Sequence, residues 1–197
     1  MVDEFSAFAR MPAPVLRAEN ISDLSRQAMF LQQSAHPAIK YTKELPDEPI
    51  MLSCDSAQFN RAVTNLLQNA ADAIDGRLEE QRHAGIETPE SGYIHLWIRN
   101  TGNGIAVGVD DNGRGLPKQG RERLTEPYVT TRSKGTGLGL AIVKKIMEDH
   151  GGKLILADRD GGGASVHMLF PVDPLISDRP AHAPGMTPPD MSVSRGA

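Results

Sequence analysis

The twenty residues Asp55-Ser-Ala-Gln-Phe59-Asn-Arg-Ala-Val63-Thr-Asn65-Leu-Leu67-Gln-Asn69-Ala-Ala-Asp72-Ala-Ile74 carry two messages on two faces of one helix. Asp55 suits an N-cap, because its carboxylate can accept from the free N–H groups of the first turn. Phe59, Val63, Leu66, Leu67, Ala70 and Ile74 fall on one side of a helical wheel and predict a face buried against a core. Asn65, Asn69 and Asp72 fall on the other side. A solvated helix face normally carries Lys, Glu and Gln, whereas Asn and Asp compete with the backbone for hydrogen bonds and are poor helix formers. Three of them on one line predict a surface that faces a ligand.

Upstream, Val2, Phe5, Phe8 and Ala9 sit at helical spacing until Pro12 and Pro14 stop the pattern, so residues 1–12 read as the end of a longer helix. Asn20, with Asp23 three residues on, caps a predicted helix through Ser34 whose stripe is Ile21, Leu24, Ala28 and Leu31. Residues Ile39 to Tyr41 and Ile50 to Leu52 read as strands separated by the turn formers Pro46, Asp47 and Pro49. Downstream, residues 76–91 extend the helix briefly and then form a solvated loop. Tyr93 to Asn100 and Ile105 to Asp110 flank Thr101-Gly-Asn-Gly104 and predict neighbouring antiparallel strands. A long Gly- and Thr-rich stretch follows, and then a helix with the apolar face Leu138, Ile142, Val143, Ile146 and Met147, ended by Gly151 and Gly152. Lys153 to Ala157 and Ser165 to Phe170 are the last predicted strands. Residues 173–197 contain five prolines and little to bury, the composition of a disordered tail or linker. The expected fold class is a two-layer α/β (α+β) sandwich, a mixed and mostly antiparallel sheet covered on one face by about three helices.

Composition narrows the function. The 197 residues carry a net charge of −4, with 39% hydrophobic residues, enough for one domain with additional end segments. No basic stripe is available to neutralise a phosphate backbone, so nucleic acid is not an expected partner. A single cysteine, Cys54, fits a reducing compartment, and no run approaches the ~18 apolar residues of a membrane span. The expectation is a cytoplasmic piece without direct membrane contact.

Two glycine-rich segments carry the chemistry. Asp110-Asp111-Asn-Gly113-Arg-Gly115 ends a strand with a carboxylate beside two positions where backbone can approach a ligand, although the same residues also make ordinary turns. Gly135-Thr136-Gly137-Leu138-Gly139-Leu140 leads into a helix, so that free N–H groups and the positive end of the helix dipole face an anion. Leu140 stands where the dinucleotide fingerprint needs Gly or Ala, and the Gly-Lys-Ser/Thr ending of a P-loop is absent. Asp158, Asp160 and Gly161 lack the closing Glu of a calcium loop and read as a hairpin turn.

Taken in order, Asn65-Leu-Leu-Gln-Asn69-Ala-Ala-Asp72-Ala, Asp111-Asn-Gly113-Arg-Gly115, Pro127-Tyr128-Val-Thr130-Thr131-Arg132 and Gly135-Thr-Gly137-Leu-Gly139-Leu resemble the N, G1, F and G2 boxes of sensor histidine kinases, within the wider Bergerat-fold ATPase superfamily. The resemblance covers about residues 15–172, and Asp3-Glu-Phe-Ser-Ala-Phe-Ala-Arg-Met-Pro-Ala-Pro14 is similar to nitrogen-regulation sensor kinases of the NtrY kind. It implies ATP and Mg²⁺ as ligands. Asn69 would bind the metal, with Asn65 one turn earlier facing the same phosphates, and Asp72 lies on that line. Asp111 would accept from the adenine amino group, with Gly113 and Gly115 allowing backbone to come close. A lid of about residues 116–136 would bring Tyr128 to the base or ribose and Arg132 or Lys134 to phosphate oxygens, with Thr130 and Thr131 among the nucleotide-binding residues. Leu124 departs from the Phe usual in the F box, which would loosen lid packing. Asn65 stands where the chaperone and mismatch-repair ATPases carry a water-activating Glu, which favours a kinase over a hydrolase.

The resemblance also implies a phosphoacceptor histidine followed by an acidic residue on a helical hairpin. His36, His83, His95, His150, His167 and His182 are followed by Pro, Ala, Leu, Gly, Met and Ala. The expectation is therefore a catalytic domain, residues 13–172, that binds Mg²⁺-ATP without phosphorylating itself. Residues 1–12 would be the remnant of the dimerisation helix. Its partners would be the parent's histidine-bearing dimerisation domain and a response-regulator receiver domain, with the parent anchored in the inner membrane. A nucleotide-binding module without transferase activity, an anti-sigma-factor type serine kinase and a plain interaction domain remain as alternatives.

Overall fold

The computed structural model describes residues 11–86, 90–129 and 136–171. The order is β1 (Arg17–Asn20), α1 (Ile21–Ala35), β2 (Lys40–Glu44), β3 (Met51–Cys54), α2 (Ser56–His83), β4 (Tyr93–Asn100), β5 (Gly104–Asp111), α3 (Gly139–Asp149), β6 (Lys153–Asp158) and β7 (Ala164–Pro171). A 3₁₀ turn, Arg121–Arg123, lies between β5 and α3. Five strands form one sheet in the order β2-β4-β5-β7-β6, with β2 parallel to β4 and every other pairing antiparallel. β1 and β3 form a separate antiparallel pair. The predicted sandwich class holds. The expected helix remnant at 1–12 and the tail at 173–197 lie outside the described residues, apart from Met11 and Pro12.

α2 is the central element. Asp55 caps it by accepting from the Gln58 N–H at 3.0 Å, and its second carboxylate oxygen accepts from the Val15 N–H at 2.9 Å. These bonds hold the Asp55 carboxyl below the usual carboxylate range. Phe59, Val63, Leu67 and Ile74 are fully buried under the sheet residues Ile94, Leu96, Val107 and Met168. Each such side chain contributes about 1.5–3 kcal/mol relative to exposure. Phe59 and Phe170 meet with ring centroids 5.9 Å apart. α2 and α3 are tied through His150, whose Nε2 accepts from the Asp55 N–H at 3.1 Å while Nδ1 lies 2.8 Å from the Ile146 carbonyl. A carbonyl can only accept, so His150 carries its proton on Nδ1.

One expectation is overturned: Leu31, predicted on the buried stripe of α1, is 67% exposed. The buried arc is instead Ile21, Ser22, Ser25, Ala28, Met29 and Gln32, rotated away from Leu31. Two serines and a glutamine in that arc are invisible to a count of apolar residues. The strands on either side of Pro46 do not join one sheet: β2 pairs with β4, while β3 pairs with β1. β1, with the sequence Arg-Ala-Glu-Asn, has no strand signal of its own and forms because β3 offers it a ladder.

Candidate functional site

Asn65, Gln68, Asn69 and Asp72 project from α2 at spacings that stack them on one face, and all four line a cavity of about 260 Å³. Facing them is the start of α3 with the backbone before it, Thr136 to Leu140. The N-cap position of α3 is Leu138, whose side chain makes no capping bond and so does not occupy the N–H groups that a helix start presents. A Cβ on Gly139 would lie 3.3 Å from both amide atoms of Asn69 and 3.4 Å from Asn65 Oδ1. The amide line and the helix start are thus in direct apposition.

Gly137 holds φ +68, and a Cβ there would come within 2.7 Å of the Tyr128 carbonyl carbon. Tyr128, itself at φ +66, donates its N–H to the Gly137 carbonyl at 3.1 Å. This bond joins the two ends of a segment whose residues Thr130, Thr131, Arg132, Lys134 and Gly135 lie outside the described residues. Tyr128 is 59% exposed, while the neighbouring Val129 lines the cavity. Leu124 is buried against the same cavity.

A second, apolar slot of about 70 Å³ adjoins the first, sharing Asn69, Ala73, Gly115, Leu116 and Leu140 with it. Asp111 lies at its floor, 4% exposed. One carboxylate oxygen accepts from the Gly113 N–H at 2.7 Å and the Ala164 N–H at 3.4 Å. Burial raises its pKa to about 6, against the lowering effect of those two donors. A carboxyl whose folded value exceeds its unfolded one destabilises the fold above about pH 6 and stops doing so below the ordinary carboxyl value. Asp111→Asn should therefore gain stability relative to wild type on going from about pH 4 to about pH 6, between the unfolded and the folded carboxyl values, which paired thermal melts would measure.

Gly113 needs its missing side chain for packing: a Cβ would come within 2.6 Å of Ala73 on α2 and 2.8 Å of the Asp111 carboxylate. Gly115 holds φ +76 and faces Gly163. Asn112 is structural, accepting from the Tyr93 N–H at 2.7 Å and donating to the Ser91 carbonyl at 2.9 Å. A larger groove of about 540 Å³ between residues 121–125, α3 and β6 contains none of the motif residues.

The sequence reading missed Gln68, Arg114 and Gly163. Gln68 donates to Asp72 at 2.8 Å within the cavity wall, and its signal was simply its place on the amide line. Gly163 was absorbed into a hairpin turn, yet it lies against the Asp111 carbonyl. Among the described residues no three His, Cys, Asp or Glu side chains converge as a metal cluster, and no helix is long and apolar enough to cross a membrane.

Residues 54–174 match the family model of histidine kinase-, DNA gyrase B- and HSP90-like ATPases. The chain is 45% identical over 172 residues to the nitrogen regulation protein NtrY of Azorhizobium caulinodans, covering 86% of this chain and 21% of that protein. It is 38% identical to a putative NtrY-like sensor histidine kinase of Rickettsia conorii, covering 86% of this chain and 26% of that one. The chain thus spans about a fifth to a quarter of these relatives. Among solved structures, the catalytic domain of histidine kinase ThkA superposes with TM-score 0.66 at 28% identity, covering 80% of this chain and 95% of that one. Full-length ShkA in complex with AMPPNP superposes with TM-score 0.64 at 26% identity, covering 85% of this chain and 34% of that one. With the matched segment spanning both glycine motifs and the amide line of α2, this chain belongs to the family of histidine kinase-, DNA gyrase B- and HSP90-like ATPases.

Proposed function

We propose that the joined cavities bind Mg²⁺-ATP and that the domain donates the γ-phosphoryl group to a histidine on a separate helical hairpin. The observation that carries this reading is the apposition of Asn65 and Asn69 with Gly139, within 3.4 Å of a Cβ placed there. Neutral amide oxygens and a helix start without a side-chain cap on opposite walls suit a ligand with phosphates and a hard cation between them. Mg²⁺ prefers few protein oxygens and keeps phosphates and waters as its other ligands, so the Asn69 oxygen is a fitting donor without a carboxylate cluster. When bound, the ion would neutralise charge on the transferring phosphoryl group.

The apolar slot would take the purine. The outward oxygen of Asp111 would accept from the exocyclic amine of adenine, an interaction that guanine, with a carbonyl there, cannot make. Protonation would turn the outward oxygen into an O–H donor facing the donor amine of adenine, so ATP affinity should fall as pH drops through about 6. Titrations of wild type and Asp111→Asn from about pH 7.5 to about pH 5 check this: the part of the pH dependence missing in the variant belongs to Asp111.

Asn65 stands where the chaperone and mismatch-repair ATPases carry a water-activating acid, so no carboxylate occupies that position, and ATP would be held until another nucleophile arrives. Of the described histidines, His95 and His167 are on strands, and His36, His83 and His150 are at helix ends. None lies within a helical hairpin. The acceptor is therefore proposed to be the dimerisation hairpin of the parent kinase, with the phosphoryl group passing on to an aspartate of a response regulator. The similarity to NtrY-type sensors supports that placement and an inner-membrane parent with this domain in the cytoplasm.

The test combines calorimetry and transfer. ADP and a non-hydrolysable ATP analogue should bind tightly only with Mg²⁺ present. γ-Labelled ATP should label an added NtrY-type hairpin and not this chain alone. Binding without transfer would leave a nucleotide-sensing module, and no binding would end the kinase reading.

A further inference from the structure

The end of β5 that carries Asp111 is held from both sides. On one side the Tyr93 N–H donates to Asn112 Oδ1 at 2.7 Å, and the Asn112 N–H donates to the Tyr93 carbonyl at 3.2 Å. On the other, Gly163 packs against the Asp111 carbonyl with no room for a side chain, and the Ala164 N–H donates to the Asp111 carboxylate at 3.4 Å. One residue reaches both neighbours. Arg159, in the β6–β7 turn, donates its N–H to the Gly163 carbonyl at 3.2 Å and its Nη1 to the Gly162 carbonyl at 3.0 Å, while its guanidinium carbon lies 5.6 Å from the centre of the Tyr93 ring. Because β5 lies between β4 and β7 in the sheet, Arg159 forms a strap across the strand end.

The strap lies on the far side of the sheet from the apolar slot. Ile94 is fully buried beneath the helices and pairs with Asp111, so strand alternation puts these two side chains on the helix face and the Tyr93 ring, with the guanidinium over it, on the other. Arg159 lines neither of the joined cavities, so it acts through the strand end rather than by touching a ligand. The turn needs such a brace. Gly161, Gly162 and Gly163 in succession give it little stiffness of its own, and it is this turn that presents the Ala164 N–H to Asp111. Burial is the main influence on the Asp111 carboxyl, and among the smaller ones the Arg159 charge favours the ionised form while Asp110 opposes it.

The geometry points to Arg159 as the positioning residue of the base-reading carboxylate: it fixes the strand end so that the outward Asp111 oxygen meets the exocyclic amine of adenine. This assignment rests on the ATP-binding reading above, and adds to it a determinant of base selectivity outside both cavities and all four sequence motifs.

The test compares AMP with purine riboside 5′-monophosphate, which lacks only the exocyclic amine, in wild type, Arg159→Met, Asp111→Asn and the double variant. Wild type should prefer AMP. Arg159→Met should weaken AMP by about five-fold, part of the roughly ten-fold or more carried by a hydrogen bond to a charged group, and leave the amine-free nucleotide unchanged. In Asp111→Asn the amide oxygen would stay on the Gly113 and Ala164 donors and turn its NH₂ outward, so Arg159→Met should have no further effect on AMP there. Equal losses on the two nucleotides, an unchanged preference for AMP in Arg159→Met, or the same loss in the Asp111→Asn background would leave Arg159 a plain turn-stabilising residue. Any of these overturns the assignment. A wild type that binds both nucleotides alike would instead remove the Asp111–adenine contact on which it rests, and one that binds no nucleotide would remove the ATP-binding reading itself.

Discussion

Asn69→Ala is expected to abolish the Mg²⁺-dependent part of ATP affinity, a loss of ten-fold or more, while leaving the fold intact or slightly firmer. Asn69 lines both the larger cavity and the apolar slot, and its amide faces the start of α3. Removing one hydrogen bond or ligand to a charged group costs about 1.5–3 kcal/mol, equivalent to roughly 10- to 150-fold in affinity. Alanine, however, is a better helix former than asparagine by about 0.5 kcal/mol, and Asn69 sits in the middle of a 28-residue helix. Stability and binding should therefore move in opposite directions. Such a pattern marks a residue retained for a ligand rather than for the helix. Calorimetry with and without Mg²⁺, set beside thermal melts, reads both. Equal Mg²⁺ dependence in variant and wild type would remove Asn69 from the proposed metal site.

Gly163→Ala is expected to be the most damaging single methyl group in the β6–β7 turn. Gly161, Gly162 and Gly163 all have positive φ, at +85, +98 and +94, so alanine at any of them takes an unfavourable backbone conformation. Gly161 and Gly162 have nothing within 4 Å of the added carbon. At Gly163 that carbon would run into the Asp111 carbonyl and lie 2.8 Å from the Asn112 Cα. Backbone has no rotamer by which to move aside. The strain common to all three positions is about 1–2 kcal/mol, and overpacking adds about 1–3 kcal/mol at Gly163 alone. Gly162→Ala is the matched control. The difference between the two variants in denaturant unfolding isolates the crowding. Gly163→Ala should also weaken nucleotide binding, because the strand end that aims Asp111 is what must shift. If both alanines behave alike, the Gly163 approach to Asp111 is not tight in solution.

Local pattern made much of this domain legible. Asp55, the Phe59-to-Ile74 stripe and the Gly151-Gly152 stop lie within single helices, where capping and the 3.6-residue period act over a few neighbours. The hairpin around Gly102 and the last two strands are local as well. Leu31 and β1 failed for a different reason: which arc of α1 is buried, and whether Arg-Ala-Glu-Asn forms a strand, are decided by partners distant in sequence. The site divides the same way. Asn65, Asn69 and Asp72 stand out because three helix-unfriendly residues share one face, and the glycine motifs stand out by spacing. Gly163 and Arg159 carry no such mark, since their roles depend on Asp111 and Tyr93 lying next to them in space.

From the residues alone came the chemical inventory: an amide line on an amphipathic helix, a strand-ending acid and an uncapped, glycine-rich helix start, together with the sandwich class that could hold them. Convergence was decided by the tertiary structure, which set Gly139 against Asn65 and Asn69, buried Asp111 enough to raise its pKa to about 6, and laid Arg159 over Tyr93. The physical reason is one of range. Propensity, capping and periodicity act within a few residues of the chain, whereas desolvation, crowding and the pairing of groups from separate elements exist only once the core has brought those elements together.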